Sequence, residues 1–241
     1  MANIVIVHAA FGGGWEWREV ASLLRARGHM VFTPSLTGHG ERVHLANPEA
    51  GLDTHIQDIV NVVRYEDLFE VVLACQSYGG MVVTGVANRI PERIAHLVYL
   101  NALVPHDGQS AFDLLPAALR ERFEDAAVKS GDGWLVPAPS SEDDPQIAAF
   151  ERGRTVGSPL RMFADPIRLS PIATDRIRRT YIWSTEDQAG VSGIPEIMRP
   201  FAERARDDPS WRFHQIASIP SAFIRAPALI AELFDEAARA V

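Results

Sequence analysis

The residues most able to do chemistry lie together at Cys75-Gln76-Ser77-Tyr78-Gly79-Gly80. The apolar run Val71-Val72-Leu73-Ala74 feeds into Ser77, and a helix-forming run from Met81 to Arg89 follows the glycines. A strand that turns this abruptly into a helix strains the backbone of its central residue and lifts that side chain above the sheet edge. A serine held there can attack a carbonyl carbon if a base accepts its proton. The pattern C-Q-S-Y-G departs from the usual G-x-S-x-G at its first position. That position must be small because strand and helix pass close together, and cysteine is small enough. A serine in an ordinary turn could carry the same letters.

The N-terminus argues against that simpler reading. Ile4-Val5-Ile6-Val7 is a short β-branched strand, and His8-Ala9-Ala10-Phe11-Gly12-Gly13-Gly14-Trp15 follows it. A glycine-rich loop after the first strand can supply one backbone N–H of an oxyanion hole, and the residue after the nucleophile supplies the other. By position these donors are Ala10 and Tyr78. A third stretch, Tyr181-Ile182-Trp183-Ser184-Thr185-Glu186-Asp187, reads as a strand that ends in carboxylates. A carboxylate there could orient an imidazole beside the serine.

Alternating strand and helix patterns must position these groups, which favours a parallel sheet with helices on both faces. Strands are expected at 3–8, 29–34, 70–76, 94–102, 179–185 and 211–217. Helices are expected at 15–27, 54–66, 79–89, 195–206 and 226–240. The stretch from Pro105 to Pro171 interrupts the alternation and is rich in Pro, Asp and Ser. It reads as a cap over 105–171, inserted into a core made of 1–104 and 172–241. Two cap helices are expected, Phe112 to Lys129 and Gln146 to Arg154. The cap's Phe112, Leu115, Trp134 and Phe163 would line a pocket over Ser77 or pack among themselves.

Bulk properties narrow the function further. The 241 residues fit one domain with a large core. A formal net charge of −8 without a basic run argues against nucleic acid. The single cysteine excludes an internal disulfide. Met1-Ala2-Asn3 leads directly into a strand, with no secretory pattern, and no apolar run reaches the ~20 residues of a membrane span. A cytoplasmic protein with a small-molecule substrate is expected, with no membrane partner, no metal and no cofactor. A homodimer is compatible with the sequence.

The chain resembles the α/β-hydrolase-fold superfamily, and within it the plant methylesterase and hydroxynitrile lyase group with its small bacterial esterase-like relatives. The phrases that carry the resemblance are VHAAFGGGWEW, TPSLTGHGERVHL, GLDTHIQDIVNVV, QSYGGMVVTGVANRIPERIAHLVYLNALVPHDGQS and PFAERARDDPSWRF. They run from Ile4 towards the C-terminus, and the middle, Phe112 to Arg178, matches weakly. The resemblance implies an α/β-hydrolase fold, Ser77 as nucleophile and Asp187 as the acid. It also implies a histidine on the loop after the last strand, where this chain has Pro220, or Ser221 with a loop one residue longer. Gln76 stands where relatives commonly have histidine, and Asn101 where they often have aspartate.

His39 is the candidate substitute base, because Thr37-Gly38-His39-Gly40 reads as a loop at the catalytic edge. His8 belongs to the oxyanion-loop signature and reads as structural, and His29, His44, His55 and His96 read as surface or packing residues. Phe11, Gln76, Asn101, Trp134 and Phe223 are assigned to the pocket. The sequence therefore predicts an enzyme acting on a small hydrophobic carbonyl compound through Ser77 and a backbone oxyanion hole. With the histidine position lost, non-classical chemistry is favoured: a cyclase, isomerase or lyase. The alternatives are a carboxylesterase or lactonase with a substitute base, and a non-catalytic small-molecule binder.

Overall fold

Runs such as Ile4-Val5-Ile6-Val7 are apolar on both strand faces, and only a sheet covered by helices on both sides can bury them. The computed structural model, which describes residues 1–139, 144–171, 176–186 and 193–241, shows this arrangement. Strands β1 (Asn3–Val7), β2 (Met30–Phe32), β3 (Val71–Ser77) and β4 (Ile94–Ala102) form the first part of the sheet. After a small β5 (Leu135–Val136) and β6 (Ser158–Pro159), the sheet is completed by β7 (Arg178–Ser184) and β8 (Trp211–Ile216). The six-stranded sheet has the order β2-β1-β3-β4-β7-β8, and every pairing in it is parallel.

Three helices lie between the first four strands: α1 (Arg18–Ala26), α2 (Leu52–Tyr65) and α3 (Gly79–Arg89). Alternate strand residues point to opposite faces, so two separate cores result. Val5, Val7, Leu73, Cys75, Leu97 and Tyr99 pack under α2 and α3 on one face. Ile4, Ile6, Val72, Ala74, Val98 and Leu100 face the other way, against Val20, Ala21 and Leu24 of α1. Each fully buried aliphatic side chain contributes about 1.5–3 kcal/mol.

Between β4 and β7 the chain leaves the sheet for α4 (Ala111–Leu114), α5 (Ala117–Ser130), α6 (Pro145–Glu151) and α7 (Leu160–Ala164). The single helix expected from Phe112 to Lys129 is two helices. Pro116 forces the preceding Leu115 out of helical space, to φ −101° and ψ 153°. The antiparallel pair β5 and β6 was not expected; at two residues each, these strands carry no alternation to read. The C-terminal part supplies α8 (Ile194–Asp207), α9 (Ala222–Arg225) and α10 (Pro227–Arg239). Among the described residues no helix is long and apolar enough to cross a membrane.

Candidate active site

Ser77 ends β3 with φ +52°, a left-handed conformation rarely adopted by a serine. The next residues must be small for that turn to close. A Cβ on Gly79 would lie 2.9 Å from the Val7 carbonyl oxygen and 3.0 Å from that of His8. A Cβ on Gly80 would overlap the Leu103 carbonyl oxygen. Cys75 is fully buried beneath the turn, and burial pushes its thiol well above the usual range, so it stays protonated and inert.

Ser77 opens into a cavity of about 290 Å³. Ala10, Phe11, Gln76, Tyr78 and Asn101 border it on the sheet side. Leu115, Leu119, Phe123 and Phe163 cover it from the segment between β4 and β7. Pro220, Ser221 and Phe223 close it from the loop after β8. Two expected lining residues are absent from this wall. Phe112 stacks behind Phe163, with ring centroids 5.7 Å apart. Trp134 adjoins β5, where its carbonyl accepts the Leu160 N–H at 2.6 Å and fixes it outside the cavity lining.

The loop after β1 is held by the segment between β4 and β7. Phe11 has φ +68°, its N–H donates to Ser158 Oγ at 3.0 Å, and its carbonyl accepts from Val156 N–H at 2.9 Å. His39 Nε2 shares a hydrogen bond with the same Ser158 hydroxyl at 2.9 Å. Ala10 and Tyr78 line the same cavity as Ser77. Ser158→Ala leaves the Phe11 donor and His39 without their partner. A buried polar group so stranded costs about 1–3 kcal/mol, so the denaturation midpoint is expected to fall measurably. An unchanged midpoint contradicts this anchoring.

His39 does not stand where a base for Ser77 is needed. It is fully buried, does not line the cavity, and bonds Ser158 and the Thr37 carbonyl rather than Ser77. A base must come within hydrogen-bond reach of the proton it takes, directly or through one water. His39 instead joins a ring cluster with His8 and His55, at centroid distances of 5.5 and 5.4 Å. His8 accepts the Leu36 N–H at 3.0 Å and so has the structural place expected of it. His55 Nδ1 pairs with the Tyr78 hydroxyl at 3.0 Å and steadies the residue after Ser77.

The loop after β8, which carries Pro220 and Ser221, is tied to the sheet. Gln76 Nε2 donates to the Pro220 carbonyl at 3.1 Å, drawing that loop to the end of β3. Asn101, with φ +42°, accepts the Ser184 N–H at 2.8 Å and donates to Ser184 Oγ at 2.8 Å. It thereby pins the end of β7. Asp187, the expected acid, lies outside the described residues. No histidine is found among the described residues that line the cavity.

Among the described residues two carboxyl groups line the cavity, and the sequence reading did not single them out: Glu16 and Glu151. Glu16 is only 7 % exposed. It follows Gly12-Gly13-Gly14 and sits between Trp15 and Trp17, and this charged residue between two tryptophans was the signal available in the sequence. Its carboxylate accepts the Gly13 N–H at 3.4 Å. Burial pushes the Glu16 carboxyl up to about 8; the Gly13 N–H opposes this and the nearby Glu151 charge adds to it.

These buried groups predict an acid-labile fold. Burial lowers His8 to about 3, and His39 and His96 to about 4, each against an opposing backbone hydrogen bond. Burial also holds His55 well below its usual value. The unfolded chain binds protons at these sites below about 6.5 and the native chain does not, so stability falls as pH drops from about 6.5 towards 4. Each such group contributes up to about 1.4 kcal/mol per pH unit in that window. Glu16 acts in the opposite sense, gaining stability as pH falls from about 8, but it is one group against several. The urea midpoint is expected to drop between about pH 7 and pH 5, and a constant midpoint contradicts the neutral, buried histidines.

Comparison with known proteins identifies the family. The model of the alpha/beta hydrolase family matches residues 4–228. A carbendazim hydrolyzing esterase of Nocardioides sp. (strain SG-4G) is 37 % identical over 224 residues, covering 88 % of this chain and 89 % of the relative. An alpha-hydroxynitrile lyase of Arabidopsis thaliana is 29 % identical over 104 residues, covering 43 % of this chain and 40 % of the relative. An extracellular alpha/beta-hydrolase from a Paenibacillus species superposes with a TM-score of 0.83 at 27 % identity, over 99 % of this chain and 100 % of that one.

Proposed function

The chain belongs to the alpha/beta hydrolase family, and on that premise we propose that it is an esterase-type hydrolase acting on a small, largely apolar carbonyl compound at Ser77. The observation that carries this reading is Ser77 itself, at φ +52° and opening into the same cavity as Ala10 and Tyr78. In this mechanism Ser77 Oγ attacks the carbonyl carbon. The amides of Ala10 and Tyr78 face the oxygen that gains charge, and stabilise it most where water is excluded. Phe11, Phe123, Phe163 and Leu115 suit an apolar body, and about 290 Å³ suits a compact one. The likeness to an esterase over most of both chains adds weight. Asp187 is the proposed acid, from its place in the sequence.

A second reading, favoured by Pro220 and Ser221 at the expected histidine position, is non-hydrolytic chemistry on the same carbonyl class. An ester panel of short apolar acyl groups in ¹⁸O-labelled water separates the two. Hydrolysis places label in the released acid. A folded protein that turns over none of the panel, yet converts a ketone or hydroxynitrile without taking up label, contradicts the hydrolytic reading.

A further inference from the structure

We propose that Glu16 is the proton-transfer residue of this site, taking the Ser77 hydroxyl proton and delivering it to the departing oxygen; this rests on the hydrolytic reading above. The first ground is position. Glu16 and Ser77 line one cavity, and Glu16 stands on the helical turn Gly14–Trp17 that follows the loop carrying Ala10. Gly12 makes room for it, since a Cβ on Gly12 would overlap both oxygens of the Glu16 carboxylate. The glycine-rich run thus seats a carboxyl group against the loop that carries the Ala10 amide.

The second ground is what Glu16 lacks. Among the described residues no arginine, lysine or histidine forms an ion pair with it. A buried carboxyl without a cation costs stability, and a fold keeps such a group mainly where it serves chemistry. Among the described residues, the ionisable side chains that share the cavity with it are Glu151 from α6, Arg122 from α5 and Tyr78 from the β3–α3 turn. Its burial-raised pKa of about 8 makes it a stronger base than an exposed carboxylate and matches proton transfer near neutral pH. The third ground is vacancy of role. The buried His39 and the Pro220 loop supply no imidazole to the cavity.

The proton inventory closes. Ionised Glu16 accepts the proton from Ser77 Oγ as the Oγ–C bond forms and the carbonyl oxygen takes the electron pair. Collapse breaks the ester C–O bond, and the departing oxygen takes the proton from Glu16. Water then attacks the acyl-Ser77 carbonyl and gives its proton to Glu16, which returns it to Ser77 Oγ as the acid leaves.

The test is kcat/KM against pH for a p-nitrophenyl ester. The unaltered protein is expected to gain activity through a midpoint near 8, as Glu16 ionises. E16Q is expected to lose about 10²–10⁴-fold and that rising limb with it. E16D keeps a carboxylate and should retain the limb at reduced height. E151Q, which removes the neighbouring negative charge, should move the limb to lower pH; this covers the case in which E16Q fails to fold. The proposal is overturned if E16Q stays within threefold of the unaltered protein, or if the limb stays put in E151Q. An unaltered protein with no ester turnover removes the hydrolytic reading and the proposal together. Normal turnover with an indifferent E16Q removes Glu16 alone.

Discussion

Ser77→Ala is expected to lower ester kcat/KM by about 10⁴–10⁶-fold while leaving the protein folded. The magnitude follows from the role. A covalent nucleophile that acts as a unit with its base cannot be replaced by the rest of the site, which leaves only positioning and the oxyanion donors. A serine that merely donated one hydrogen bond to developing charge would cost about 1.5–3 kcal/mol, or roughly 10–150-fold. The two outcomes differ by orders of magnitude, so the variant decides between them. Ser77 is partly exposed at the cavity, so the missing hydroxyl leaves no hole in either core. Alanine is expected to hold the same turn at φ +52°. Circular dichroism and the denaturation midpoint should therefore match the unaltered protein. A loss of only tenfold assigns Ser77 to binding.

Gly80→Ala is expected to cost at least the roughly 3 kcal/mol that marks the upper end of ordinary overpacking. The new methyl would overlap the Leu103 carbonyl oxygen, with the Leu103 carbonyl carbon and amide nitrogen each 3.0 Å away. A side chain can rotate out of such a clash, but these are backbone atoms. Leu103 N–H also donates to the Ser77 carbonyl at 3.1 Å, so moving it disturbs the turn at Ser77 directly. Against a typical total of about 5–15 kcal/mol, a loss of this size unfolds a sizeable share of marginal domains. Chemical denaturation should show a large fall in midpoint, and any folded fraction should have lost activity. An alanine variant as stable as the parent contradicts the tight α3–β4 approach.

The sequence revealed the scaffold more fully than the proton path. Doubly apolar strands such as Ile4 to Val7 and Val71 to Ala74 have one way to be buried, and the sheet is where they predict it. The turn at Ser77 and the loop after β1 were legible because close backbone approaches demand glycine at fixed places, and Gly79 and Gly80 have no room for a Cβ. The cap was harder. Its helices are short, and Pro116 divides one of them by a local rule that apolar periodicity does not register. Trp134 looked like a pocket wall from its size alone, but its place depends on the pairing of β5 with β6, a tertiary fact.

The histidines mislead for a related reason. A loop histidine near the catalytic edge resembles a base in sequence, yet burial and Ser158 make His39 a structural group. Glu16 went unnoticed because a glutamate at the start of a helix usually reads as a favourable first-turn charge. Only the cavity shows that it lines the same space as Ser77.

The most direct measurement is covalent capture of Ser77. A fluorophosphonate probe reacts only with an activated serine, and intact-mass spectrometry counts the adducts. One adduct is predicted, mapping to the peptide that holds Ser77, absent from Ser77→Ala and formed more slowly in E16Q. A folded protein that stays unlabelled under conditions that fully label an ordinary serine esterase contradicts a nucleophilic Ser77, and with it the hydrolytic account of this cavity.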